Sequence, residues 1–416
     1  MIKVSFHTFG CKCNLSDSND MALSLLEQGP FSIREGELTA NIHIINTCTV
    51  TSSADSQARN LIRKLDKLNK GSLIVVSGCS LRNSKKTYEE LFNGLSLNNK
   101  YEAFDNLKQD IRCVVADFVS LDQKGSPFDS NISSVFRTRA LIKIQDGCNS
   151  FCSYCIVPHV RGREKSRPQT QIIEEINRLY SQGIKEAVIT GINIGSYELG
   201  LESLLEKIIL ETKMPRIRLS SLRPSKLTPK LIELMTEKRI CPHLHISLQS
   251  GSDRILKLMN RHDYVSSDFN SSAKRYFEAL KARSPFMATD VIVGFPGENN
   301  DDFEQTYKVI NDSQVNKLHV FIFSPRPGTK AFEAKNMFDP IEAKKRSAML
   351  LKLSKQKYLA SLNEMVGKTV EVLWEDDTSG HTENYYPVIG QGKKNTLELK
   401  KVINVDQAKE SLILLN

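Results

Sequence analysis

The chain has 416 residues, and Lys and Arg outnumber Asp and Glu by 57 to 48, a formal net charge of +9. With 40% hydrophobic and 25% charged residues, the composition is that of a folded globular protein of several domains and excludes a disordered or fibrous chain. No window approaches ~18 consecutive apolar residues, and the opening MIKVSFHTFGCKCN lacks a signal-peptide h-region, so we expect no membrane span and a cytoplasmic protein.

From the N-terminus, β-branched runs alternate with amphipathic ones. IKVSFHTF (2–9), NIHIINT (41–47), SLIVVSG (72–78) and IRCVVADF (111–118) read as strands. SDSNDMALSLLEQ (16–28) and SADSQARNLIRKLDKLNK (53–70) carry the helical period. The alternation predicts an α/β domain with a parallel sheet over residues 1–117. A polar stretch with Gly and Pro, LDQKGSPFDSNISS (121–134), marks a linker over 118–136. The alternation then starts afresh with ALIKIQ, EAVITG, RIRLSSL, HLHISLQ, ATDVIVGF and LHVFIFSP as strands and helical runs between them. Six βα units over 137–339 predict a partial (βα)6 barrel, short of the eight of a closed one, with its chemistry at the C-terminal strand ends. PIEAKKRSAMLLKLSKQKYLASL (340–362) reads as a basic connecting helix. KTVEVLWED, ENYYPVIG and TLELKKVINV predict a small all-β barrel over 363–416.

Nine cysteines scattered along so long a chain argue against a disulfide scaffold and for metal or redox chemistry. Cys148, Cys152 and Cys155 fall in DGCNSFCSYCIVPHVRGREKSR (146–167), directly after the first barrel strand. Three thiolates leave one iron of a 4Fe-4S cluster without a protein ligand, and an open position marks a catalytic rather than a structural site. The alternative is a zinc site completed by His159. It is disfavoured because zinc ligands usually come as two pairs and the six βα units would go unexplained.

This loop resembles that of the radical S-adenosylmethionine superfamily. The resemblance implies that Cys148, Cys152 and Cys155 are the catalytic cluster ligands. The unique iron would bind S-adenosylmethionine, and an electron from the cluster would cleave it to methionine and a 5′-deoxyadenosyl radical. ITGINIG (189–195) is similar to the family's motif for the methionine amino group, which marks Gly191 and Asn193 as cofactor contacts. In SLQSGS (247–252), Ser247 and Gln249 would meet the ribose or carboxylate. In VIVGFPGE (291–298), Gly294 would allow backbone approach to the adenine.

Cys11, Cys48 and Cys79 each follow a predicted strand of the first domain. Ends of parallel strands lie side by side, so three remote residues can converge on a second cluster. The plainer reading is three small buried apolar side chains. Together the two trios resemble the methylthiotransferase family almost end to end, with an N-terminal cluster domain, a radical domain and a C-terminal TRAM domain. TFGCKCN and NTCTVTSSADSQAR look most like the branch that methylthiolates N6-threonylcarbamoyladenosine at tRNA position 37. The isopentenyladenosine branch typically reads GCQMN and NTCSVRE there, and the ribosomal-protein aspartate branch GCPKN and NTCGF.

The resemblance implies two 4Fe-4S clusters and S-adenosylmethionine in two roles, one methylating a sulfur on the auxiliary cluster and one generating the radical. The adenine C2–H bond is unactivated, which suits a radical route. Partners would be tRNA, a sulfur donor and an electron donor such as flavodoxin or ferredoxin, with no membrane and a monomeric state. A non-catalytic RNA-binding metalloprotein is the alternative of another class. The threonylcarbamoyl branch usually carries an apolar residue where this chain has Cys13, which we read as an inert thiol ahead of the alternative of a spare ligand or sulfur acceptor; Cys113 and Cys241 read as strand core. Residues 137–167 hold seven Lys or Arg against two acids, which makes Arg161, Arg163, Lys165 and Arg167 RNA-binding candidates. Further basic patches lie at Arg59–Lys70 and 344–357. The C-terminal domain is net acidic, so its RNA contact would rest on exposed aromatics: Trp374, Tyr385 and Tyr386.

Overall fold

The computed structural model describes residues 2–50, 52–95, 98–106, 109–119, 137–334, 337 and 339–415. Two compact units divide the chain: residues 1–137 with 156–163, and residues 138–155 with 164–416. Beyond its first two residues, the expected linker lies outside the described residues.

The first unit runs β1 (Ile2–Thr8), α1 (Lys12–Gln28), β2 (Phe31–Glu35), β3 (Ile42–Thr47), α2 (Ser52–Leu68), β4 (Leu73–Gly78), α3 (Cys79–Asn83), α4 (Lys85–Asn93), β5 (Lys100–Ala103) and α5 (Ile111–Val119), and it includes α6 (Val157–Arg161). The sheet is parallel throughout, in the order β2-β1-β3-β4-β5. Every residue of β3 and β4 is buried, as parallel strands covered on both faces require. One face packs Val4, Phe6, Leu25, Ile44 and Val75, and the other Ile45, Ile62, Val76 and Tyr88. IRCVVADF departs from expectation: it is helix α5, not a strand. Ile111 and Val115, one helical turn apart, face the core, while Cys113 is exposed rather than buried. The fifth strand is instead KYEA, a half-buried edge that its charges hid from the apolar pattern.

The second unit begins with β6 (Ala140–Asp146), β7 (Lys165–Ser166), α7 (Gln169–Ser181), β8 (Glu186–Gly191), α8 (Leu201–Glu211), β9 (Arg216–Leu219), β10 (Ser221–Leu222), α9 (Pro229–Leu234) and β11 (His243–Gln249). It continues with α10 (Asp253–Leu258), α11 (Ser266–Ala279), β12 (Phe286–Val293), α12 (Asn300–Asp312), β13 (Lys317–Ile322), α13 (Lys330–Glu333) and α14 (Pro340–Asn363). Two four-stranded sheets, β7-β6-β8-β9 and β10-β11-β12-β13, are joined by a parallel bridge from Ile217 to Ile240. With β9 and β10 as the two halves of one interrupted strand, they make the expected six-strand parallel arch, and β7 lies antiparallel at its edge. Ile142, Ile189, Leu219, Leu244, Ile246 and Val291 pack on the flanking helices. The alternate residues of each strand therefore face the inside of the arch.

A closed five-stranded barrel follows, of β14 (Thr369–Trp374), β15 (Ser379–Thr382), β16 (Pro387–Ile389), β17 (Leu397–Asp406) and β18 (Ser411–Leu414). Its β14–β16 region docks against the arch interior. Arg216 Nε meets Glu371 at 3.0 Å, and Arg218 pairs with the fully buried Glu186 at 2.6 Å. Tyr385, in the left-handed region at φ +74°, lies beneath the guanidiniums of Arg139 and Arg218 and beside the His243 ring. The expected exposure of the barrel aromatics is overturned: Trp374 and Tyr386 are core, and Tyr385 is a plug. A barrel this small needs large side chains to fill it.

Candidate cluster and cofactor sites

Cys11, Cys48 and Cys79 emerge together at the C-terminal ends of β1, β3 and β4, and glycine makes their approach possible. A Cβ on Gly10 would sit 2.5 Å from Cys48 Sγ, and one on Gly78 would sit 2.3 Å from the Thr47 carbonyl; both have φ near +100°. Asn14, one turn beyond Cys11, ties the strand exits together. Its amide donates to Phe9 O and Thr47 O, each at 2.9 Å. Its Oδ1 lies 3.9 Å from both Cys11 Sγ and Cys79 Sγ. The same oxygen accepts from Arg161 Nη2 at 2.6 Å, and that guanidinium also pairs with Asp17 at 2.8 Å. Arg82 Nη1 stands 4.0 Å from Cys79 Sγ, with Nε on Asp105.

Two cations beside three thiols favour thiolates. A hydrogen bond from Cys13 draws Cys11 down to about 6, against burial and helped by Arg161. Burial pushes Cys48 up to about 11 and raises Cys79 as well, the latter opposed by Arg161 and Arg82. Thiols held up in this way ionise fully only when a metal takes the proton's place. Cys13 is therefore buried and hydrogen-bonded to Cys11, while Cys241 is buried core just ahead of β11.

The other trio follows β6 in a loop stapled to the end of α10. Ser153 N and Oγ donate to Met259 O and Leu258 O, and Asn260 Nδ2 donates to Phe151 O. Arg261, buried and unforeseen in the sequence, organises this corner. It reaches Cys152 Sγ at 3.9 Å, Tyr154 Oη at 3.3 Å, Ser247 O at 2.9 Å and Tyr264 Oη at 2.9 Å. The cofactor-motif residues lie at the same strand ends. Gly191 is required by close approach, since its Cβ would meet Gln145 O at 2.9 Å. Asn193 donates its N–H to Gln145 Oε1 and its amide to Ser196 Oγ. Ser247 accepts from Arg261, and the buried Gln249 takes φ +70°, a strained backbone of the kind found at binding sites. Gly294, at φ +70°, donates to Glu298, which is fixed by Arg346 at 2.7 Å.

His159, the fourth ligand of the zinc alternative, is exposed on α6. Of the basic candidates, Arg163 and Lys165 are exposed. Arg167 is half-buried on Glu175, and Arg161 is buried against Asp17 and Asn14 beside the first cysteine trio, so burial withdraws it from a phosphate backbone. Among the described residues, no helix is long and apolar enough to cross a membrane.

Comparison with known proteins agrees with this arrangement. The Radical SAM superfamily matches residues 142–310, and the uncharacterized protein family UPF0004 matches residues 3–97. The chain is 37% identical to the threonylcarbamoyladenosine tRNA methylthiotransferase MtaB of Chlamydia pneumoniae, over 96% of this chain and 94% of that one. It is 33% identical to a tRNA-2-methylthio-N(6)-dimethylallyladenosine synthase of Endomicrobium trichonymphae, over 97% and 96%. The radical S-adenosylmethionine methyltransferase TsrM of Kitasatospora setae, solved with cobalamin and a [4Fe-4S] cluster, shares the fold at 13% identity and a TM-score of 0.53, covering 79% of this chain and 76% of that one. A strand-end cysteine loop on a six-strand arch, a second cysteine trio on its own parallel sheet, and relatives matched nearly end to end place this chain in the radical S-adenosylmethionine methylthiotransferase family, as an enzyme of that class.

Proposed function

We propose that the enzyme modifies tRNA, adding a methylthio group at carbon 2 of N6-threonylcarbamoyladenosine at position 37. Cys148, Cys152 and Cys155 would hold one 4Fe-4S cluster with S-adenosylmethionine, and Cys11, Cys48 and Cys79 a second. When bound, the first supplies a radical able to abstract an unactivated hydrogen and the second a methylated sulfur. The protein's own part is positioning. Arg261 locks the Cys152 loop to the β11 end that carries Ser247 and Gln249. Gly191, Asn193 and Gly294 shape the neighbouring strand ends for the cofactor. Asn14 and Arg161 hold Cys11 and Cys79 in one charged pocket. The observation that carries the reading is that each trio sits at the C-terminal ends of parallel strands, the trio of Cys11, Cys48 and Cys79 with a further thiol, Cys13, hydrogen-bonded to Cys11. Arg163 and Lys165 would meet the tRNA backbone, and the C-terminal barrel would act as a TRAM module. Cytoplasmic location, monomeric state, and external sulfur and electron donors complete the reading.

The test is anaerobic reconstitution with iron and sulfide. We expect about eight irons per chain, about four in a Cys148/Cys152/Cys155→Ala variant, and 5′-deoxyadenosine from the unmodified protein alone. Zinc in place of iron, or no deoxyadenosine with any reductant, overturns the radical reading. Mass spectrometry of tRNA and ribosomal proteins from a deletion strain then names the substrate. Loss of methylthio-isopentenyladenosine or of a modified ribosomal aspartate would replace the threonylcarbamoyl assignment and keep the chemistry.

A further inference from the structure

The inner faces of β11, β12 and β13 carry a group that neither cysteine trio uses. His245, Asp290 and His319 offer ligand atoms that all lie within 4.8 Å of one another. Asp290 and His319 are register partners on adjacent strands, and His245 projects from the third. His245 Nε2 lies 2.7 Å from Asp290 Oδ1, and His319 Nδ1 lies 3.5 Å from the same oxygen. The two rings meet edge to face at 4.8 Å. The floor beneath is apolar and aromatic, with His243 stacked on Phe286 and tilted against Tyr385.

A plain His–Asp pair is the simpler account of His245 and Asp290. It does not account for the second imidazole, His319, which converges on the same carboxylate oxygen from the edge strand, nor for the poor alignment of His245 Nε2 as a donor to that oxygen. Side-chain exposures of 15% for His245, 18% for Asp290 and 44% for His319 keep the group reachable from solvent. Two imidazoles and one carboxylate, converging from three strands with positions left open, suit a divalent first-row transition metal. Magnesium and calcium prefer all-oxygen shells.

We propose that His245, Asp290 and His319 form a divalent transition-metal site inside the arch, separate from both cysteine trios. This goes beyond the proposed function and does not depend on its substrate. The test uses anaerobically reconstituted holoenzyme, desalted and titrated with zinc chloride, with retained zinc counted by mass spectrometry and its shell read by zinc K-edge absorption. The expected result is about one zinc per chain in a nitrogen and oxygen shell. His319→Gln and Asp290→Asn should each weaken retention by roughly tenfold or more, at unchanged iron content. His319 is on the edge strand and half-exposed, so its variant carries the test if Asp290→Asn fails to hold iron. No retained zinc, sulfur in the zinc shell, or retention unchanged in His319→Gln would overturn the site.

Discussion

Arg261 touches partners up to 109 residues away, and they are hydroxyls, a carbonyl and a sulfur. Replacing it with Met removes the bridge from the cysteine loop to the β11 end, a loss of roughly 2 kcal/mol. Arg261→Met should therefore melt lower and retain about four irons instead of about eight, which iron assay and calorimetry would check. Gly10→Ala is the complementary case. Its Cβ would collide with Cys48 Sγ, so the iron proposed for Cys11, Cys48 and Cys79 should be lost while deoxyadenosine formation survives. Retention of all the iron would show that the first trio does not hold a cluster. The cysteines were legible in the sequence because spacing and strand-end position are local. Asn14 was within reach, three residues after Cys11 at the start of a helix. Arg261 left no local trace, since its role exists only when β11 and the cysteine loop are brought together.

Between strands, titration matters. His7 on β1 and His43 on β3 form a buried pair, Nε2 to Nδ1 at 3.2 Å. Burial and then the charge of His43 lower His7 from 6.5 to about 4, and burial lowers His43 too. A histidine depressed in the fold binds protons more tightly when unfolded. The first unit should thus be fully stable above pH 6.5 and lose up to ~3 kcal/mol as pH falls toward 4. Hydrogen exchange of β1 and β3 amides, corrected for intrinsic rate, should show the loss, and His7→Asn should flatten it. In the second unit, Glu186 is fully buried and held near 2 by Arg218, Arg139 and Arg216 against its desolvation. Arg218→Met should cost ~3 kcal/mol by stranding that charge, and adding Glu186→Gln should restore most of it; thermal unfolding of both variants decides. Strand and helix types were mostly readable from period. IRCVVADF failed because a short apolar run satisfies both periods. The four-residue strands SGHT and SLIL were missed because ladder pairing, not composition, makes them strands.

At the level of the whole chain, the order of an α/β sheet, a six-strand arch and a small barrel was legible because alternation of elements restricts topology. Which surfaces face solvent was not, as the buried Arg161, Trp374 and Tyr386 show. The excess of +9 charges predicts salt-sensitive tRNA binding. Affinity should fall by orders of magnitude between ~50 and ~200 mM salt, and Arg163→Ala with Lys165→Ala should reduce the slope by about 1–2. A slope unchanged in that pair would exclude both side chains from the phosphate contacts; filter binding across salt would read it.

The fully buried indole of Trp374 rests on Gly392, where any Cβ would fall 2.0 Å from the ring. It is also the chain's one tryptophan. The molecule thus carries an intrinsic optical gauge of a single module. Blue-shifted emission reports an intact C-terminal barrel, a red shift reports its opening, and neither requires a label or depends on the histidine pair of the N-terminal sheet.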